Sequence, residues 1–259
     1  MPMRESGQGS PGAASGRGPR RGDTEADSIV PCSQCPVARV CLPANVRPDQ
    51  VLLIEGMVTR QRALEPGQYL FRVGEDFASL FAVRSGCLKS TVLDAEGGEH
   101  ILNFHLPGEI LGFAAIYQER HAGNAIAVAP AIVCYLSFRE ILRLAQTFPE
   151  LVLGLLRIAS RSALYTGRLT GDHNAVVRVA AFFLSVSGRL RAQGQSGTEF
   201  DLVMSREDIA NHLRLAPETV SRVLTQLRED QIIAVSRRSV RLLDADRLQS
   251  LAGPMLPYG

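Results

Sequence analysis

The chain has 259 residues, 46% of them hydrophobic, enough for one large domain or two modest ones with a sizeable core. The formal net charge is only +2, so whole-chain charge announces no nucleic-acid partner, and any such signal must come from local placement. No run of about 18 apolar residues occurs and residues 1–30 carry no apolar signal core, which excludes a membrane span and predicts a cytoplasmic protein.

Residues 1–30 read as a disordered tail, with Gly-Arg-Gly-Pro-Arg-Arg-Gly and no apolar period. A cysteine segment over 31–46 follows, holding Cys32, Cys35 and Cys41. Cytosolic thiols are kept reduced, so five cysteines point to metal ligands or structural thiols rather than disulfides. From about 47 to 62 the pattern predicts a short helix. Residues 66–136 then carry short β-type runs, Tyr69–Phe71, Leu80–Val83, Leu88–Leu93 and Ile126–Leu136, between glycine turns that include Gly74, Gly86 and Gly97-Gly98. That punctuation predicts a small β-barrel or jelly roll over 47–147. All basic residues but Lys89 are arginine, a bias expected of a GC-rich genome.

Phe138–Gln146 reads as a short helix, and Pro149 sits at the favoured first position of a longer one, over 148–172. No acidic residue occurs between Glu150 and Asp172. Leu151, Leu155, Ile158, Ser162, Tyr165 and Leu169 form one helical row, and Leu156, Ala159, Ala163, Thr166 and Thr170 a second beside it. Two such rows allow one face to pack on the chain's own β-domain and the other to meet a second copy; the alternative is a helix buried within one chain. Val176–Arg191 is a further amphipathic helix, and a C-terminal module occupies 173–259.

Within that module Ser205 fits a helix cap, with Asp208 three positions on. A break falls at Arg214-Leu215-Ala216, and Pro217 opens a second helix. Val220, Leu224 and Leu227 are spaced to face inward, which leaves Glu218, Thr219, Ser221 and Arg222 outside. Two short helices with a tight connection form a helix-turn-helix pattern, and the runs 232–235 and 240–243 look like the strands of a wing. Arg222 suits a bidentate contact to guanine, Glu218 suits cytosine N4, and Ser221 suits either base or phosphate. Arg206, Arg214, Thr219, Arg237 and Arg238 suit the DNA backbone. A solvated i,i+4 pair between Glu218 and Arg222 is the plainer alternative.

Glu218-Thr219-Val220-Ser221-Arg222 resembles the E-x-x-S-R recognition motif of the FNR branch of the CRP/FNR superfamily. Phe81–Gly86 and Phe104–Gly112 resemble the barrel phrases of the same family. The resemblance runs from about Cys32 to Gly253 and implies an α+β chain: an N-terminal cyclic-nucleotide-binding-like barrel, a long dimerisation helix and a C-terminal winged helix-turn-helix. It implies a homodimer on double-stranded DNA at TTGAT-type inverted repeats, with Glu218, Ser221 and Arg222 on the bases. It also implies contact with RNA polymerase, for which the turn Asp94–Gly98 is a candidate.

Three cysteines need a fourth ligand to close a four-coordinate site, and spacing alone does not choose between Cys134 and Cys87. The resemblance implies Cys134, completing a 4Fe-4S cluster held by Cys32, Cys35, Cys41 and Cys134 and lost in oxygen. Some family members carry a carboxylate on the dimer helix that opposes dimerisation; here Arg157, Arg161 and Arg168 are the only charges over 151–171. Zinc on the same thiols and a thiol–disulfide switch are chemical alternatives. A cyclic-nucleotide receptor is a second class, but where the family pocket holds an Arg-Ser pair this chain has Gly123 and Asn124. No P-loop, nucleophile elbow or dinucleotide fingerprint occurs, so an enzyme is not expected.

Overall fold

A computed structural model of the chain describes residues 29–169 and 173–253. Residues 1–28 of the tail expected over 1–30, Thr170 of the second helical row and residues 254–259 lie outside the described residues.

The cysteine segment is built of tight turns, with 3-10 helices at Cys32–Gln34 and Leu42–Asn45. The helix expected over 47–62 is shorter: a 3-10 turn leads into α1 (Val51–Glu55), which stops at Gly56. From Val58 the chain is strand β1 (Val58–Leu64), because pairing with the long strand near the end of the β-domain satisfies its backbone in a way an isolated helix end would not.

The sheet contains β1, β2 (Tyr69–Phe71), β3 (Ser79–Leu93), β4 (Glu99–His105), β5 (Ile110–Leu111) and β6 (Asn124–Ser137). Its order is β1-β6-β3-β4, with β2 on β6 and β5 on β3, so β6 is the spine. The expected turn at Gly86 is absent. Strand β3 runs through it, with register shifts between Val83 and Ser85 and between Ser85 and Cys87. Gly86 has φ 80°, and a Cβ there would lie 2.1 Å from the Pro130 carbonyl oxygen. Glycine serves a bulge in which the two long strands approach closely, and Pro130, which donates nothing, sits opposite it.

Helix α2 (Phe138–Ala145) is capped by the Ser137 hydroxyl, which accepts from the Glu140 amide at 3.4 Å. Helix α3 (Pro149–Leu169) buries Leu151 and Leu155 against Leu42, Ile54, Met57 and Ile141. Its other side exposes Leu153, Leu156 and Leu164 at 48%, 59% and 51%.

The C-terminal module comprises α4 (Ala175–Ala192), β7 (Glu199–Asp201), α5 (Arg206–Leu213), α6 (Pro217–Glu229), β8 (Ile233–Ser236), β9 (Ser239–Leu242) and α7 (Ala245–Ala252). Each wing strand is shifted by one residue at both ends from its expected position, and β7 adds a third strand in the order β7-β9-β8. Among the described residues no helix is long and apolar enough to cross a membrane.

The module docks on β4 through polar contacts between residues far apart in sequence. The Lys89 ammonium bridges Glu99 at 2.8 Å and Asp208 of α5 at 3.0 Å. Asn211 behaves like an extra strand residue: its side chain donates to the Glu99 carbonyl and accepts from the Ile101 amide, both at 2.7 Å. Arg189 of α4 donates two bonds of 2.6 Å to Glu109, whose carboxyl is held below its usual range, against the cost of burial, by that guanidinium.

Two histidines are sealed beside this contact. Burial pushes both His105 and His212 down to about 4. Their folded values lie below the unfolded value of 6.5, so the unfolded chain binds more protons in between. Stability is therefore complete above about pH 6.5 and falls as pH drops toward 4, by about 1.4 kcal/mol per pH unit for each histidine. Urea midpoints from about pH 7.5 to about pH 5 should fall accordingly, and His212→Gln should flatten the slope. A pH-independent midpoint would contradict the assignment.

Candidate thiol site and nucleic-acid interface

Cys134 lies in mid-strand on β6, registered with Gln61 of β1 and Ala82 of β3, so the strand that carries it is paired on both sides. The cysteine segment crosses this face. Cys32, Cys35, Cys41 and Cys134 all line one cavity of about 30 Å³, whose other walls include Val37, Leu42, Ile54 and Leu136. Cys87 is not among its walls; it is buried at 1% exposure with Ile101 and Phe104, on the side of the β-domain that meets the C-terminal module.

The segment is pinned by residues that the sequence did not single out. The Gln61 side chain donates to the Val30 carbonyl at 3.0 Å and accepts from the Val30 amide at 3.3 Å. Arg84 donates to the same Gln61 oxygen at 3.1 Å. The Ser33 amide donates to Glu55 at 2.8 Å. These partners are separated by 31, 23 and 22 residues, and nothing in their local pattern betrays the pairing.

Burial, with Cys134, Cys35 and Glu55 nearby, raises Cys32 to about 12. Burial raises Cys41 to about 12 as well, with the other thiols adding to it against a backbone hydrogen bond at Leu42. Cys134 rises to about 11 for the same first reason, opposed by Arg84 and Gln61. Uncharged, sheltered thiols are weak nucleophiles at neutral pH, which counts against a free thiol–disulfide switch. A bound metal centre would have to displace their protons.

Among the described residues no three His, Cys, Asp or Glu groups converge on one point closely enough to hold a single ion. One zinc ion needs every sulfur within about 2.3 Å of its centre, whereas a multi-atom centre accepts more widely spread thiolates. The donor set of four thiols suits an iron–sulfur centre. The cavity is small, and the short-turn segment can yield space more readily than the hydrogen-bonded sheet.

In the C-terminal module the Ser205 hydroxyl accepts from the Asp208 amide at 3.0 Å, capping α5. Arg214 turns the chain with φ 56°, and Pro217 opens α6. Val220, Val223, Leu224 and Leu227 are buried, so α6 is held by its inner face. Glu218 and Arg222 are exposed, while Thr219 and Ser221 are half-buried. Arg222 donates to the Thr219 hydroxyl at 3.2 Å rather than pairing with Glu218, which leaves the carboxylate free. Arg237 and Arg238 form the exposed two-residue turn between β8 and β9, and Arg206 is exposed at the start of α5. Arg214 is instead engaged with the His100 ring of the β-domain.

On α3, Leu156 and Ala163 are exposed and Ala159 is half-buried; the backbone of Thr166 continues the helix. At the positions matching a cyclic-nucleotide pocket, a Cβ on Gly123 would lie 2.1 Å from the Thr91 carbonyl oxygen, and the Asn124 side chain accepts from the Val73 amide at 3.0 Å. Neither offers a cation to a phosphate.

Residues 177–251 match the Crp-like helix-turn-helix domain, and residues 61–148 match the cyclic nucleotide-binding domain. The chain is 38% identical over 229 residues to the transcriptional activator protein Anr of Pseudomonas protegens, covering 86% of this chain and 92% of that protein. It is 32% identical over 233 residues to the fumarate and nitrate reduction regulatory protein of Salmonella typhimurium, covering 86% and 91%. Among solved structures, FixK2 from Bradyrhizobium japonicum aligns with a TM-score of 0.66 at 26% identity, over 74% of this chain and 96% of that one. A CooA mutant from Carboxydothermus hydrogenoformans shares the fold, with a TM-score of 0.63 at 18% identity over 83% and 95%.

Proposed function

This chain belongs to the CRP/FNR family of transcriptional regulators, and on that premise we propose that it is a cytoplasmic, oxygen-responsive regulator whose Cys32, Cys35, Cys41 and Cys134 hold a 4Fe-4S cluster. The observation that carries the reading is that these four thiols line one cavity while the fifth, Cys87, does not. When bound, such a cluster supplies an oxygen-labile link between the segment and the sheet.

The remaining steps belong to the protein. Gln61 and Glu55 hold the start of the segment, and Leu42 at its end packs into the cluster containing Leu151 and Leu155 of α3. The position of the segment therefore bears directly on α3. Leu156 and Ala163 are exposed on that helix and Ala159 is half-buried; the row that the sequence gives as Leu156, Ala159, Ala163, Thr166 and Thr170 is the seam for a second copy. A two-fold dimer would set its two α6 helices in successive major grooves about 34 Å apart, matching an inverted repeat of TTGAT-type half-sites. Glu218, Ser221 and Arg222 read bases there. Arg206, Thr219, Arg237 and Arg238 hold the backbone, and Arg214 joins them only by leaving His100. The exposed turn at Asp94–Gly98 is the surface for RNA polymerase. The five divisions 1–30, 31–46, 47–147, 148–172 and 173–259 are the working units of this scheme.

The test is metal and sulfide analysis of protein purified without oxygen, followed by DNA binding before and after air. About four iron and four sulfide per chain, with binding lost in air, is the expected result. A colourless zinc protein indifferent to air would replace the cluster with a structural ion. A second check concerns the clamp: Gln61→Ala removes no sulfur but frees Val30, and should lower the iron retained after desalting. Wild-type retention would show that the clamp is dispensable.

A further inference from the structure

We propose that a second site, outside both the thiol cavity and the DNA-reading surface, binds a small phosphate-bearing anion. It is a cleft of about 350 Å³ where the cysteine segment, the loop between β4 and β5, α3 and α4 meet. Four guanidinium groups line it: Arg39 from the segment, Arg157 and Arg161 from α3, and Arg189 from α4. Its one carboxylate, Glu109, is committed to Arg189 by two bonds of 2.6 Å. Among the described residues no carboxylate pairs with Arg39, Arg157 or Arg161. The excess of three cations over this cleft is not balanced within residues 151–171, which contain no acidic residue; the one acidic residue of α3 is Glu150 in its first turn.

Planar guanidinium groups favour oxyanions that accept paired hydrogen bonds, and several together favour a ligand with more than one negative charge. The volume lies at the low end of small-molecule sites, which suits pyrophosphate or a single nucleotide rather than a large cofactor. The floor is shaped for close approach. Gly108 has φ 88°, and a Cβ there would lie 2.4 Å from a Val40 methyl, so glycine lets the segment lie directly on the loop. An anion held here ties together the segment that carries Cys41, the helix proposed as the dimer seam and the first helix of the DNA-binding module. It also offsets the repulsion that Arg157 and Arg161 would bring to a paired α3. That second consequence rests on the dimer reading above; binding itself does not.

The experiment is calorimetry on the full chain, purified without oxygen, with pyrophosphate and separately with ATP, at ionic strength held constant with chloride. Saturable binding of one ligand per chain is expected. Binding of both ligands identifies a site for the phosphate group itself, and binding of ATP alone identifies a nucleotide site. Arg157→Gln/Arg161→Gln should weaken binding at least about tenfold with an unchanged melting temperature, whereas Arg237→Gln/Arg238→Gln in the wing should leave it unchanged. Absence of saturable heat with either ligand would overturn the proposal. So would equal affinity in the α3 double variant, or a loss confined to the wing variant. Analytical centrifugation with and without pyrophosphate reads the dimer separately, so a failure of the dimer scheme does not resemble a failure of the site.

Discussion

Cys134→Ala is expected to leave anaerobically purified protein without bound iron or acid-labile sulfide, while Cys87→Ala keeps the full complement of both. The two residues are easily confused on paper: both are cysteines of the β-domain, and neither sits in a spaced motif. The sheet separates them. Cys134 projects from the spine strand β6 into the cavity crossed by the cysteine segment, where Cys32, Cys35, Gln61 and Arg84 also line the walls. Cys87 follows the bulge at Gly86 and packs with Ile101 and Phe104, toward the C-terminal module. In the proposed scheme Cys134 is the ligand anchored in the sheet, so its removal takes away the point to which the three segment thiols would be tied. Removing the Cys87 sulfur costs a small buried volume, of the order of 1 kcal/mol, and touches no ligand. Iron and sulfide counts read the difference directly. Equal content in Cys134→Ala and wild type would end the assignment of the fourth ligand, and with it the account of how oxygen is sensed.

Local signals in this sequence reported local structure well. The cap at Ser205, the break at Arg214 and the first-turn proline at Pro217 place α5 and α6 almost to the residue, because each signal acts within one helical turn. Pro149 marks the start of α3 in the same way. Signals that depend on distant partners misled or were silent. Gly86 has the composition of a turn, yet its freedom is used for a bulge against Pro130, which lies 44 positions further along the chain. The stretch after Gly56 has helical spacing, yet pairing with β6 makes it a strand.

The thiol site was half legible. The Cys-x-x-Cys spacing marks the segment, whereas a fourth sulfur at Cys134 is implied only by the family resemblance. The Gln61 clamp on Val30 came only from the fold, since a lone glutamine in a strand carries no mark of its partner. The contact of Lys89 with Asp208 spans 119 positions and is of the same kind. The single lysine of a chain otherwise biased to arginine bridges two carboxylates at the junction of the β-domain with α5. An arginine there would carry a planar fork where this site presents a point charge to two separate acceptors.

Arg222→Ala should weaken binding to a TTGAT-type inverted repeat by about 1–3 kcal/mol per half-site and relax preference at a single base pair. The exposed side chain stands one turn after Glu218 on the outward face of α6, and the Thr219 hydroxyl holds its guanidinium away from that carboxylate. The free protein thus spends neither charge on the other, and both remain available to base edges: the cation to guanine, the carboxylate to cytosine. Arg237 and Arg238 stand in a different relation to DNA. They sit on the wing turn, outside α6, and suit phosphates. Replacing either should weaken all sequences alike and reduce the salt dependence by about one counterion per contact. A matrix of single-base variants of the operator, measured at two salt concentrations, separates the two classes. If Arg222→Ala lowers affinity evenly across that matrix and flattens the salt dependence, then Arg222 is a backbone contact, and the motif that first pointed to this family is read here through some other side chain.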